Sequence, residues 1–172
     1  TKLITAYDQP TLGAVYKLVA IEDEDGQLVD TIKISNNVGK MSTPGKKQVW
    51  RINDRGDGKS EGDYITLVDE DPRNEKSLNM FNPNFPLQQK DVEDFTARPM
   101  LKPIWQDGKY VYDEPTLEES RQHRFDSLNA LWDEYKRDLN PEVYPVDLSQ
   151  KCYDNKLKLI HQVHEYVKSL NK

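Results

Sequence analysis

The chain has 172 residues, the size of one domain, and its 35% hydrophobic and 31% charged residues allow a modest core under a heavily solvated surface. A net charge of −6 argues against a general nucleic-acid binder, and the single cysteine, Cys152, excludes an intrachain disulfide. No apolar run reaches the length of a membrane span and no secretory-leader pattern opens the chain, so a cytoplasmic location with neither nucleic-acid nor membrane partners is expected.

The first residues, TKLIT, look like a strand and lack an initiator methionine, so the chain is expected to be a piece of a longer protein. LGAVYKLVAI (12–21) suits a largely buried strand, and EDEDG (22–26) a charged turn ending in Gly26. QLVDTIKIS (27–35) alternates, with Ile32 and Ile34 toward a core and Lys33 and Ser35 on the open face. After the NNVGK turn, Pro44-Gly45 introduces a strand over QVWRI, and a glycine-rich turn (53–63) precedes another over DYITLVDE. SLNMF (77–81) is expected to pair as an edge strand and NPNFP (82–86) to be loop. DFTARPMLKPIW and KYVYDE flank Asp107-Gly108, a good two-residue hairpin turn.

The last third reads as helix. Thr116-Leu-Glu-Glu119 has the form of a capping box, and the apolar spacing continues through Leu128, Leu131, Trp132, Tyr135 and Leu139 until Asn140-Pro141 stops it. YPVDLS (144–149) is a short extended link. A second helix is expected from Ser149 to Leu170, with Cys152, Leu157, Ile160, Val163, Val167 and Leu170 inward. The fold class is therefore α+β, an antiparallel, hairpin-rich first half followed by two C-terminal helices.

Most candidate chemistry fails on inspection. His161 and His164 stand at i and i+3 with no carboxylate or cysteine at an obvious ligand position, so no metal site is assigned. Cys152 has no partner for nucleophilic or redox work and reads as a half-buried packing residue. Neither G-x-x-x-x-G-K-[ST] nor G-x-S-x-G occurs. The clustered acids fall in turns, and Trp50, Trp105 and Trp132 are expected in the core. No catalytic set remains.

What remains is a basic island in an acidic chain. Between Thr31 and Lys59 stand Lys33, Lys40, Lys46, Lys47, Arg51, Arg55 and Lys59, opposed by Asp54 and Asp57 alone. Lys33 and Ser35 on one face, with Lys46 and Lys47 on the neighbouring segment, suit pyrophosphate: lysines act as point charges and serine supplies a neutral hydrogen bond. The same pattern serves an ordinary hairpin pair with polar outward positions, so the residues alone leave both readings open.

Several motifs in order then resemble one family. QPTLGAVYKLVAI, DTIKIS, K-x-STPGKKQVWR and LNPEVYPVDLS are similar to the C-terminal part of the bacterial nicotinate phosphoribosyltransferases, especially the long Gram-positive form, over essentially the whole chain. The resemblance implies a C-terminal portion of a larger α/β-barrel enzyme. That enzyme makes nicotinate mononucleotide and pyrophosphate from nicotinate and PRPP in NAD salvage, with ATP hydrolysis and Mg²⁺, and is usually a homodimer. It implies residues 1–10 as the tail end of the barrel domain, 11–114 as the β-rich region and 115–172 as the helical region.

Thr1 matches the last residue of the family's phosphate loop. By a more distant likeness to nicotinamide phosphoribosyltransferase, Lys33 and Ser35 match a phosphate-approaching segment, and Lys46 and Lys47 loosely match a lysine-rich turn. These residues would reach phosphates bound across a subunit interface. The isolated chain is expected to be inactive and to hold no cofactor, its partner being the remainder of the polypeptide. The alternative is a non-catalytic, β-rich interaction or phosphate-binding module.

Overall fold

The computed structural model describes residues 15–37 and 40–170. A small hairpin comes first, β1 (Ala20–Glu22) and β2 (Leu28–Asp30), paired antiparallel with Ile21 opposite Val29. Its turn is closed by the Asp23 carboxylate, which accepts from the Asp25 and Gln27 amides, and by Gly26 at φ +76. In the described part of the strand expected over 12–21, Val15 and Tyr16 are more than four-fifths exposed, and among the described residues of this stretch the ladder begins at Ala20.

Among the described residues the main sheet has six strands. They are β3 (Lys47–Asp54), β4 (Ser60–Leu67), β5 (Ser77–Asn82), β6 (Phe85–Glu93), β7 (Phe95–Pro99) and β10 (Val146–Leu148), in the order β6-β5-β10-β4-β3-β7. The edge strands β6 and β7 are consecutive in the chain, joined by Asp94 alone at φ +47. The sheet therefore curls until its two ends meet at that corner. Arg55 staples the corner, its Nε on the Asp94 carboxylate at 3.0 Å and its Nη2 on the Phe95 carbonyl at 2.7 Å.

Curling gives the sheet an inside and an outside, and each strand serves both by alternation. Trp50, Ile52, Tyr64, Leu78, Met80, Val92 and Phe95 form the inner core. Gly62 sits opposite Ile52 at φ +143, and a Cβ there would meet Met80 and the Pro145 carbonyl at 3.1 and 3.2 Å. On the other face Phe81, Leu148 and Cys152 form a second core, joined by Ile65, Leu67 and Tyr153.

Three expectations need correction here. SLNMF is not an edge: β5 pairs with β6 and also, through Phe81 and Leu148, with β10. NPNFP is not all loop, because β6 begins at Phe85. The expected link YPVDLS supplies β10, which inserts between β4 and β5 and runs parallel to β4. Its backbone groups thus find partners on both sides in the middle of the sheet.

Asp107-Gly108 turns the small hairpin β8 (Trp105–Gln106) and β9 (Lys109–Tyr110), both turn residues having positive φ. Helix α1 (Leu117–Ala130) starts with the expected capping box: the Thr116 hydroxyl accepts from the Glu119 amide, and Glu119 accepts from the Thr116 amide. It ends at Ala130, well before Leu139, the last residue of the apolar spacing, and a single turn, α2 (Asp133–Lys136), follows. Helix α3 (Gln150–Leu170) follows β10 directly. Its first turn lies on the second core through Cys152; beyond Val163 its side chains are exposed, including Val167 and Leu170. No described helix is long and apolar enough to cross a membrane.

Candidate functional site

The basic island does not stay together. Four of its seven cations are consumed by structure. Arg51 grips Asp63 with two nitrogens, at 2.9 and 3.1 Å, and Arg55 holds the Asp94 corner. Lys59 donates to the Asn129 and Leu131 carbonyls at the end of α1 and lies over the Trp132 ring. Lys47 turns inward, its ammonium donating to the Thr43 carbonyl at 2.6 Å and the Gly45 carbonyl at 2.5 Å. Burial pushes the Lys47 ammonium below the ordinary lysine value, against the opposing pull of Cys152 and Asp30.

Lys33 and Ser35 come together, though not on a strand. Residues 31–35 are extended without a ladder, because their hydrogen bonds run to a loop: Thr31 N–H donates to the Val19 carbonyl and Lys33 N–H to Ser42 Oγ, each at 2.9 Å. This segment faces residues 15–18 across an open groove of about 550 Å³, lined by Val15, Tyr16, Lys17, Leu18, Lys33, Ser35 and Lys40. Three lysines and a serine share it, and none of the described lining residues is acidic.

Positive charge continues beside the groove. Burial pushes the Lys156 ammonium on α3 below its ordinary value, and the charge of Lys17 adds to the effect. Lys33 and Lys40 are exposed, and no acceptor among the described residues holds either ammonium. Lys17 reaches the Met41 carbonyl at 3.4 Å. The Ser35 hydroxyl accepts from the Asn37 amide, which leaves its own proton to donate.

The remaining named residues fall elsewhere. Lys46 is exposed outside the groove lining, and its carbonyl accepts from Val68 N–H. Lys47 is outside the lining as well. Thr1 and the segment 1–10 lie outside the described residues. Lys17 and Lys40 were not singled out as site residues from the sequence. A lysine inside an otherwise apolar run, as in VYKLV, is a signal against burial that could have found the first.

The other candidates resolve simply. Among the described residues no three His, Cys, Asp or Glu side chains converge as metal ligands. Cys152 is fully buried, more so than expected, and burial pushes its thiol up to about 11. Trp50 is core, but Trp105 is 66% and Trp132 39% exposed, so only one of the three tryptophans is where the pattern placed it.

The architecture is α+β, a curled and mostly antiparallel sheet buttressed by one helix, with a lysine groove beside it. Residues 46–156 match the family model described as the nicotinate phosphoribosyltransferase C-terminal domain, and the chain belongs to that family. It is 52% identical over 163 residues to the nicotinate phosphoribosyltransferase of Bacillus subtilis (strain 168), covering 95% of this chain and 33% of that protein. It is 30% identical over 152 residues to the Homo sapiens enzyme, covering 88% and 27% respectively. The crystal structure of human nicotinic acid phosphoribosyltransferase superposes with a TM-score of 0.59 at 25% identity, over 71% of this chain and 23% of that one. The chain thus spans between about a quarter and a third of the length of the curated relatives it matches.

Proposed function

We infer that this chain is the C-terminal portion of an enzyme that transfers the phosphoribosyl group of PRPP to nicotinate, and that its lysine groove forms one wall of the phosphate site. The single observation that carries the second part is the convergence of Lys17, Lys33, Lys40 and Ser35 on one groove with no described carboxylate in its lining. An assembly of like charges held apart from acids costs free energy unless an anion completes it.

The chemistry follows from the residue types. As the bond from the ribose to pyrophosphate breaks, negative charge accumulates on the leaving phosphates. Exposed ammonium groups neutralise that charge as mobile point charges, and the Ser35 hydroxyl adds a neutral donor. The site would be completed by the remainder of the polypeptide and, in a homodimer, by a neighbouring subunit. ATP phosphates would suit the same lysines. Mg²⁺ would supply charge neutralisation at pyrophosphate; among the described residues no three His, Cys, Asp or Glu side chains converge to hold it.

The full-length protein should form nicotinate mononucleotide and pyrophosphate from nicotinate and PRPP, with ATP raising the yield, and the 172-residue chain alone should form neither. A full-length protein that turns over neither substrate contradicts the reading.

A further inference from the structure

Residues 31–35 belong to no strand, so no ladder fixes the backbone that carries Lys33. One residue takes its place. Lys33 N–H donates to Ser42 Oγ at 2.9 Å, and the Lys33 carbonyl accepts from Ser42 N–H at 3.4 Å. Ser42 is 1% exposed, so water cannot substitute for its hydroxyl.

Ser42 is itself held from behind. Pro44 and Gly45 are buried, and Gly45 has φ +90. A Cβ at Gly45 would stand 2.8 Å from Leu67 Cδ2 and 3.0 Å from Asp30 Oδ2, so the 42–45 segment lies directly on β4 and β2. Gly45 N–H and Thr31 N–H share the Val19 carbonyl, each at 2.9 Å. The Asp30 carboxylate accepts from Asn155 Nδ2 of α3 at 2.7 Å, and Lys47 ties down the Thr43 and Gly45 carbonyls. The lysine segment is thereby registered to the second core through Ser42 on one side and Asn155 on the other.

We propose that Ser42 is a positioning residue for the phosphate-contacting groove, its buried hydroxyl setting the backbone of Lys33 and so where the Lys33 ammonium meets the anion. This rests on the reading of the groove given above. Ser42 touches no ligand; it acts through Lys33.

The test is a double-mutant cycle in the full-length enzyme with PRPP and nicotinate as varied substrates. Ser42→Ala should raise the KM for PRPP about fivefold, the loss of one net hydrogen bond, and leave the KM for nicotinate and kcat nearly unchanged. In a Lys33→Ala background the same substitution should have no further effect. Ser42→Thr, which keeps the acceptor, should recover PRPP affinity. Ser149→Ala is the stability control: it removes an equally buried hydroxyl, bonded to Glu70 at 2.9 Å, and should leave the KM for PRPP unchanged.

If Lys33→Ala raises the KM for PRPP and Ser42→Ala does not, or if the two losses simply add, the positioning role is wrong and the groove stands. If Lys33→Ala itself has no effect, both fail. Should Ser42→Ala not fold, Asn155→Ala releases the same segment from α3; it should raise the KM for PRPP through Lys33, and an unchanged value overturns the proposal.

Discussion

Lys46 and Lys47 are adjacent in sequence and opposite in role. Lys46 stands in solvent, whereas the Lys47 ammonium is half-buried and donates to two carbonyls that end the 42–45 segment. Lys47→Ala should therefore destabilise the fold by about 1–3 kcal/mol, because two part-buried acceptors lose their donor. Lys46→Ala should stay within about 0.5 kcal/mol in the same urea titration. Cys152 lies in the first turn of α3, a position that ordinarily favours a thiolate, yet burial wins and raises the thiol to about 11. The native protein should resist iodoacetamide at pH 8 and the urea-unfolded protein should react. The neutral thiol is favoured in the fold, so its contribution to stability is complete below the ordinary thiol value and is lost as pH rises through about 11. The sequence shows which residues are charged or apolar, not which neighbours reach them. Trp105 packs edge-on against Tyr110 in an exposed hairpin and Trp132 lies under the Lys59 ammonium, although both have the hydrophobicity of Trp50.

Among the elements, locally signalled ones were legible and long-range ones were not. The Thr116 cap and the Asp107-Gly108 turn each depend on residues within four positions of one another, and both form as the sequence indicates. Thr116→Ala should lower stability by about 1 kcal/mol, the usual loss for a capping hydroxyl, if α1 unfolds with the domain. The hydrogen bonds from Thr116 hold the Glu119 carboxyl below the usual glutamate range. That contribution is present above the ordinary glutamate value and is lost as pH falls through the lowered one, so helix content should decline there in wild type and less in Thr116→Ala. Strand β10 is the contrary case. Three residues, Val146–Leu148, pair with partners some eighty positions earlier, and nothing local marks them as the middle of a sheet. Leu148 is 3% exposed between Phe81 and Cys152. Leu148→Ala should cost about 2–5 kcal/mol in the same titration; a loss below 1 kcal/mol would mean that β10 is peripheral.

At the scale of the molecule, the curled sheet carries two cores and leaves its helices partly uncovered. No α1 residue is buried, Leu117 and Phe125 stand more than half exposed, and so do Tyr166 and Leu170 on α3. Apolar side chains in that number favour association, so the 172-residue chain by itself should show concentration-dependent association in sedimentation. The lysine groove mixes both kinds of surface, Val15, Tyr16 and Leu18 beside three lysines and a serine, and is formed by stretches outside the main sheet. Its legible part was Lys33 and Ser35, whose alternation in TIKIS survives although the strand does not form. Lys17 joins them only because residues 15–18 are too exposed to be the buried strand their apolar neighbours suggest. The measurement that bears most directly on the groove is the KM for PRPP of the full-length Lys33→Ala enzyme. It should rise at least fivefold over wild type, the loss of one charge-assisted contact, while the KM for nicotinate holds. Unchanged KM for PRPP and unchanged kcat would contradict a phosphate-contacting role for this chain.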